Sequence, residues 1–374
     1  MWEMNVNAQE ELLRTPLYDA HVRAGARMVD FAGWLMPLLY TGILQEHQAT
    51  RTGATVFDVS HMGRLRVRGD QAYKLLDRAC TADVVHQEDN TARYSLLCND
   101  AGGIIDDIFV NRFSEDWLVV CNASNRDKVL SHLQRLNRGG GFGATIEDQT
   151  RETAMLAVQG PKALEALQSV LPLDIMGMRH RDVVQGSFMV FSYIASRTGY
   201  TGDAGLEVIL PASVAMKAWE FITSPAGGVS PAGLGARDVL RLEAALPLYG
   251  HELNEQTSPI SAGLGFAVRE EGDYVGAAAI AEVRRRKPAR RLVGLKLQSR
   301  RIARQGMPVY IDGRETGAIT SGTFSPSCQA SIAMAYVDSS EAHRGRAVAV
   351  RIREDQELSG QIVRLPFYRG SART

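Results

Sequence analysis

A chain of 374 residues is longer than one ordinary core supports, so two or three domains are expected. Hydrophobic content of 45% and charged content of 22% are those of a water-soluble globular protein. Lys+Arg and Asp+Glu balance at 42 each, which removes the whole-molecule field that nucleic acid or an anionic membrane would need, so any polyanion site must be local.

In chain order, Glu3, Glu10 and Glu11 argue against a secretory or transit leader, so the chain reads as cytoplasmic, or as a processed mitochondrial-matrix protein. The longest apolar run, Phe31 to Tyr40, is about half of what a membrane helix needs, and no membrane contact is expected. Leu65 and Val67 alternate with Arg64, Arg66 and Arg68 at strand period. Tyr94 to Cys98 and Ile104 to Val110 flank Gly102-Gly103, a hairpin signal, and Leu118 to Cys121 adds a short buried strand. Asn125 to Asn137 carries Val129, Leu130, Leu133 and Leu136 on one helical stripe. Pro161 opens a helix bearing Leu164, Leu167 and Leu171, and Ser213 is placed to cap another with Met216, Trp219 and the Phe221-Ile222 pair. Ser187 to Ser196 and Gly205 to Leu210 read as strands around the Gly199/Gly202 turn.

After Gly276 the texture changes. Arg284, Arg285, Arg286, Lys287 and Pro288 read as an interdomain linker. Beyond it, Leu292 to Leu297, Pro308 to Ile311, Ala318 to Thr320, Ile332 to Val337, Ala347 to Ile352 and Gln361 to Leu365 are short strands at regular spacing. That spacing marks a small β-barrel or sandwich. The fold class is therefore α+β with largely antiparallel pairing, followed by an all-β unit.

No Walker A motif, complete GxGxxG, nucleophile elbow or HExxH is present. Cys80, Cys98, Cys121 and Cys328 form no CxxC pair and have no His cluster at zinc spacing, so they read as small buried residues in a reducing compartment. What remains is a set of polar groups in apolar segments. Asp106 and Asp107 interrupt Ile104 to Val110; strand alternation sends them to opposite faces, so they cannot share one site. Each either serves a functional site or binds loop amides. Glu207, between Leu206 and Val208, is either a surface carboxylate or an acceptor for the amino-pyrimidine edge of a pterin or purine. Arg237 and Arg241 share a helical face and either hold carboxylates or form a salt-bridged surface, the latter being the first expectation for Arg241.

These segments fall in an order that resembles one family. Thr15-Pro16-Leu17-Tyr18, Phe31-Ala32-Gly33-Trp34 and Phe57-Asp58-Val59-Ser60-His61-Met62-Gly63 are followed by Gly102 to Asp107 and Val158-Gln159-Gly160-Pro161. Gly199 to Gly202, Ala236-Arg237-Asp238, Arg241-Leu242-Glu243, Leu248-Tyr249-Gly250 and Thr320 to Pro326 complete the set. Nearly end to end, the chain is similar to the aminomethyltransferase T-protein of the glycine cleavage system.

The resemblance implies a three-domain cloverleaf. Two intertwined α+β folate-binding subdomains would occupy 1–283, one over roughly 51–149, with a C-terminal β-barrel over 284–374. It implies transfer of a methylene carbon from the aminomethyl-dihydrolipoyl arm of H-protein to tetrahydrofolate, with release of ammonia. Lipoylated H-protein and the other glycine cleavage components would be its partners. Asp107 matches the family's catalytic aspartate, and Glu207 and Arg237 match folate-contacting positions. Met62, Tyr94 and Tyr200 match pocket-lining positions, Tyr368 a C-terminal one, and no metal ligand transfers. Gly202-Asp203-Ala204-Gly205 departs from the acidic turn expected there, at the pocket rim. Within the same fold, the alternatives are a folate-dependent demethylase and a folate-binding relative without turnover; the latter would carry a KGC-type phrase, which is missing.

Overall fold

Residues 12–168, 173–188, 191–353 and 355–372 are described by a computed structural model. Strand β1 (Leu13–Arg14), helix α1 (Tyr18–Arg23) and strands β2 (Arg27–Phe31) and β3 (Trp34–Leu39) open the chain, with the strands in the order β1-β3-β2. The apolar run Phe31 to Tyr40 is therefore broken by a turn, in which Ala32 and Gly33 both take positive φ (53° and 79°). Helix α2 (Ile43–Thr52) leads to β4 (Thr55–Asp58).

The chain then builds a second sheet before it returns to the first. Strands β5 (Gly63–Arg68), β6 (Thr91–Cys98), β7 (Ile104–Arg112), β8 (Asp116–Cys121) and β9 (Thr145–Asp148) form an antiparallel sheet in the order β6-β7-β8-β5-β9. Helices α3 (Ala72–Ala79) and α4 (Arg126–Gly140) cover its outer face. At the β6–β7 turn Gly102 has φ 78°, and a Cβ on Gly103 would collide with the carbonyl oxygen of Glu255, so both glycines are required.

Strand β10 (Thr153–Gln159) comes back beside β4. With β11 (Val183–Phe188), β12 (Phe191–Ser196), β13 (Gly205–Pro211) and β14 (Ser230–Pro231) it completes a sheet in the order β11-β12-β13-β10-β4-β14. Helices α5 (Ala163–Gln168), α6 (Ala212–Ile222) and α7 (Leu234–Glu243) accompany it. Because β4 and β10 are neighbours separated by an entire sheet in sequence, the two sheets are intertwined as expected. Leu171 lies outside the described residues. Ser213 is not a cap: Pro211 occupies the N-cap of α6, and Ser213 sits inside the first turn. On that helix Ala215, Trp219 and Ile222 face the core at helical spacing, whereas Phe221 is 51% exposed.

Alternation divides each central strand between two cores. In β10, Ala154, Leu156 and Val158 pack toward α5 and α6, while Met155 and Ala157 face the other sheet. Phe57 from β4, Leu118 and Val120 from β8, Ile209 from β13, and Ala236 and Leu240 from α7 join them between the sheets.

Helix α8 (Ala277–Arg286) follows, so the charged stretch read as a linker is largely the last turn of a helix. Arg285 pairs with Glu282 at 2.7 Å, Arg286 also pairs with Glu282, and Arg284 donates to the Val268 carbonyl. Strands β15 (Arg290–Leu297), β16 (Pro308–Ile311), β17 (Arg314–Ser325), β18 (Ala330–Asp338), β19 (Ala347–Arg353) and β20 (Gln356–Val363) close a barrel in the order β15-β18-β17-β16-β19-β20. Of the two β architectures left open by the sequence, closure selects the barrel, which leaves no unpaired edge.

Candidate active site

The layer between the two sheets is where polar groups interrupt an apolar core. Asp107 shares its face of β7 with Phe109, which packs into that layer. Glu207 shares its face of β13 with Ile209, in the same layer. The two carboxylates therefore project from opposite sheets toward the layer between them, which decides between the alternatives that alternation had left open for each strand.

Asp107 is half-buried and holds two side-chain donors. The Tyr94 hydroxyl donates to Oδ2 at 3.0 Å, and Asn122 Nδ2 donates to Oδ1 at 2.8 Å. Burial raises its carboxyl above the usual range, and the two donors only partly offset that. Asp106 does point to the opposite face, where Asn125 Nδ2 donates to it at 2.6 Å, and burial together with the neighbouring Asp107 pushes it up to about 8. The expectation that the pair cannot share a site needs correction. Asn122, just past the end of β8, reaches around the strand and donates to both carboxylates.

Aromatic rings line the space around Asp107. Tyr94 packs edge-on against Phe109 with centroids 5.6 Å apart, and stacks on Phe266 at 6.1 Å. Phe266, on the turn Gly265–Ala267, is 73% exposed and leads from solvent to the Tyr94–Asp107 pair. Tyr200, in the loop between β12 and β13, donates to the Pro247 carbonyl. Met62, after β4, packs on the interlayer cluster beside Phe57.

The Glu207 end is built by β13 and α7. Glu207 is 8% exposed and accepts from the Thr198 hydroxyl at 2.5 Å. Arg237 lies 4.9 Å over the Tyr200 ring and 5.9 Å from that of Phe57. Its Nη1 is buried with no hydrogen-bond partner among the described residues. Burial lowers the pKa of Arg237, against the opposing pull of Glu207 and Tyr200. A buried guanidinium N–H without an acceptor costs free energy unless a ligand supplies one.

Two members of the site were not singled out by the sequence. His61 is buried, packs on Phe31 at 5.3 Å and carries an unpartnered Nδ1. Burial drops its pKa to about 3, with Arg237 and Arg64 adding to the effect, so a neutral imidazole stands near Arg237. Its only signal was its place between Asp58 and Met62. Asn122 had none, because its role depends on strand pairing.

Tyr368 is placed elsewhere. Its ring lies 3.9 Å under the Arg51 guanidinium, its hydroxyl donates to Asp203 at 3.3 Å, and its amide donates to the Glu243 carbonyl at 2.8 Å. Asp203 is itself buried against Arg51, so the altered turn belongs to this network. Arg241 corrects another expectation: at 1% exposed, it binds Glu252 at 2.8 Å and Ser321 at 2.7 Å, joining α7 to the barrel instead of forming a helix surface.

Among the described residues no group of His, Cys, Asp and Glu could hold a metal ion, and no helix is long and apolar enough to cross a membrane. Residues 17–271 match the family described as the GCVT N-terminal domain, and residues 290–369 match the glycine cleavage T-protein C-terminal barrel domain. An aminomethyltransferase of Rubrobacter xylanophilus is 43% identical over 97% of this chain and 96% of its own length. One from Thermotoga neapolitana is 42% identical over 96% and 99%. The crystal structure of the glycine cleavage system aminomethyltransferase T from Bartonella henselae superposes with a TM-score of 0.91 at 34% identity, covering 96% of this chain and 99% of that one. With both halves matched in order and the layered sheets and barrel in common, the chain belongs to the glycine cleavage T-protein family of aminomethyltransferases.

Proposed function

We propose that this aminomethyltransferase takes a methylene carbon from the aminomethyl group on the dihydrolipoyl arm of an H-protein, passes it to tetrahydrofolate and releases ammonia. The observation that carries the reading is the convergence of Asp107 and Glu207 from two sheets onto one space walled by aromatic rings and Arg237.

The donor and acceptor set suits a folate. An amino-pyrimidine edge offers two parallel N–H donors to the Glu207 carboxylate, and Arg237 Nη1 needs an acceptor that no described protein group provides. Met62, Tyr94 and Tyr200 offer apolar faces to flat rings and exclude water. Tetrahydrofolate, once bound, supplies the two nitrogens that accept the carbon. One carbon–nitrogen and one carbon–sulfur bond break and two carbon–nitrogen bonds form, while the two folate N–H protons end on the ammonia and the carrier thiol. Asp107, held at both oxygens, orients the accepting nitrogens and places negative charge beside the carbon as ammonia departs. No bond to the protein is required, in keeping with the missing nucleophile motifs.

The same reading divides the chain at about residue 284 into a folate-binding region, with a subdomain over roughly 51–149, and a barrel domain. It sets the protein to work in the cytoplasm beside the other glycine cleavage components. The five-stranded sheet, confined to residues 63–148, supports that subdomain. Ammonia release from aminomethylated H-protein, followed with and without tetrahydrofolate, tests the reading. Strong stimulation by tetrahydrofolate is the expected result, and release indifferent to it would overturn the proposal.

A further inference from the structure

The β7–β8 ladder pairs Phe109 with Val120, so continuing its register sets Asn122 opposite Asp107. Asn122 spends both side-chain N–H groups on carboxylates: Nδ2 donates at 2.8 Å to Asp106 Oδ1 and at 2.8 Å to Asp107 Oδ1. Its backbone N–H donates to the second Asp106 oxygen at 2.9 Å. Tyr94 completes the clamp on Asp107 Oδ2. One amide thus grips carboxylates from opposite faces of the same strand, and no cationic side chain forms a salt bridge with either among the described residues. Two carboxylates that close together and out of water cannot ionise independently.

We infer that Asn122 is a positioning residue for the reaction, aiming the Asp107 carboxylate and tying it to Asp106, so that the pair titrates as one unit and sets the acid limb of turnover. The inference rests on the folate-dependent reading above. The titratable groups nearest the pair are neutral acids, with Lys128, paired to Glu255 at 2.6 Å, reaching only the Tyr249 hydroxyl, and Arg64 and Arg126 lying beside Cys121. Tyr94 and Tyr200 face Asp107, and Cys121 and Tyr249 face Asp106; burial pushes the ionisation of all four upward, so none compensates the charge. Asn122 is therefore the only side chain that donates to both carboxylates in the described structure.

The full-length protein and its Asn122→Ala and Asp106→Asn variants separate this from a purely structural role. In Asn122→Ala, kcat should fall on the order of 10²-fold, the scale of a misaimed reacting group. The KM for tetrahydrofolate should stay within about twofold, since Glu207 and Arg237 are untouched. The two acid limbs should move in opposite directions. Removing the Asn122 donor, which favours the ionised form, shifts the limb to higher pH. Removing the neighbouring carboxylate in Asp106→Asn shifts it to lower pH. Thermal melting and tetrahydrofolate calorimetry report whether each variant is folded. If Asn122→Ala is not, an acid limb that stays put in a folded Asp106→Asn is enough to overturn the pairing. Parent-like kcat with unmoved limbs in both would overturn the whole inference. A parent protein that neither binds tetrahydrofolate nor releases ammonia would instead sink the functional reading, which keeps the two failures apart.

Discussion

Two buried carboxylate networks in this molecule face opposite ways electrostatically. Glu243, at the end of α7, accepts from His47 at 2.9 Å, Arg51 at 2.7 Å, Ser325 at 2.5 Å and Ser327 at 2.9 Å. Burial opposes its ionisation, yet the hydrogen bonds from His47 and Ser325 and the charge of Arg51 hold its pKa at about 2. Asp106 and Asp107 have amide and hydroxyl donors but no ion pair among the described residues, and burial with mutual repulsion pushes Asp106 up to about 8. The first network is neutralised by the protein itself and fastens α2, α7 and the barrel together. The second has no such counter-charge among the described residues and stands at the proposed folate site. Charge that the fold balances internally serves as a fastening, and the charge it leaves unbalanced is the one to which the proposed chemistry is assigned.

The largest effect should come from breaking the balanced network. Glu243→Ala leaves Arg51 and His47 buried without their carboxylate and should cost about 3–5 kcal/mol of stability by denaturant unfolding. A loss within experimental error would mean that the fastening lies elsewhere. The pH dependence has a definite sign. The folded pKa of Glu243, about 2, lies below the ordinary 4.5, so its contribution is full above 4.5 and is lost as pH falls toward 2. Glu243→Gln should flatten the parent's stability loss across that window.

At the unbalanced site, Asp107→Asn keeps shape and removes charge. It should lower kcat by about 10²–10³-fold, the scale for losing one preorganised electrostatic contact, with tetrahydrofolate affinity little changed. Near-parent turnover would remove Asp107 from the chemistry. Glu207→Ala, by contrast, should weaken tetrahydrofolate binding by about 1–3 kcal/mol, measured by calorimetry, because donors would be left unpaired in a dry pocket. Unchanged affinity would dissolve the proposed pterin contact.

The smallest effect concerns the arginine run. Glu282 already pairs with Arg285 and Arg286, and Arg284 is bonded to a carbonyl. Neutralising all three should therefore leave the salt dependence of H-protein association unchanged. A flattened slope would instead assign the run to the docking of H-protein. Elsewhere, Arg300, Arg301, Arg304 and Arg353 line one groove of the barrel together with Asp355.

Local periodicity carried much of this protein by itself. The alternation in β5, β7 and β13, the helical stripe of α4, the glycine turn before Asp106 and the six barrel strands all follow from side-chain spacing, which is a property of a few consecutive residues. For the same reason the spacing set Asp107 opposite to Asp106 and Glu207 opposite to Leu206 and Val208, but it left open which face met solvent. Only the tertiary structure decided how those strands share neighbours. Arg241 became a buried interdomain tie because Glu252 and Ser321 close over it, and Tyr368 went to Arg51 and Asp203. Asn122 came to hold two aspartates because the β7–β8 register sets it across from Asp107. Each of these outcomes joins residues too far apart in sequence for a period of 2.0 or 3.6 to connect them, and the partner, not the spacing, determines whether a charge is a fastening or a site.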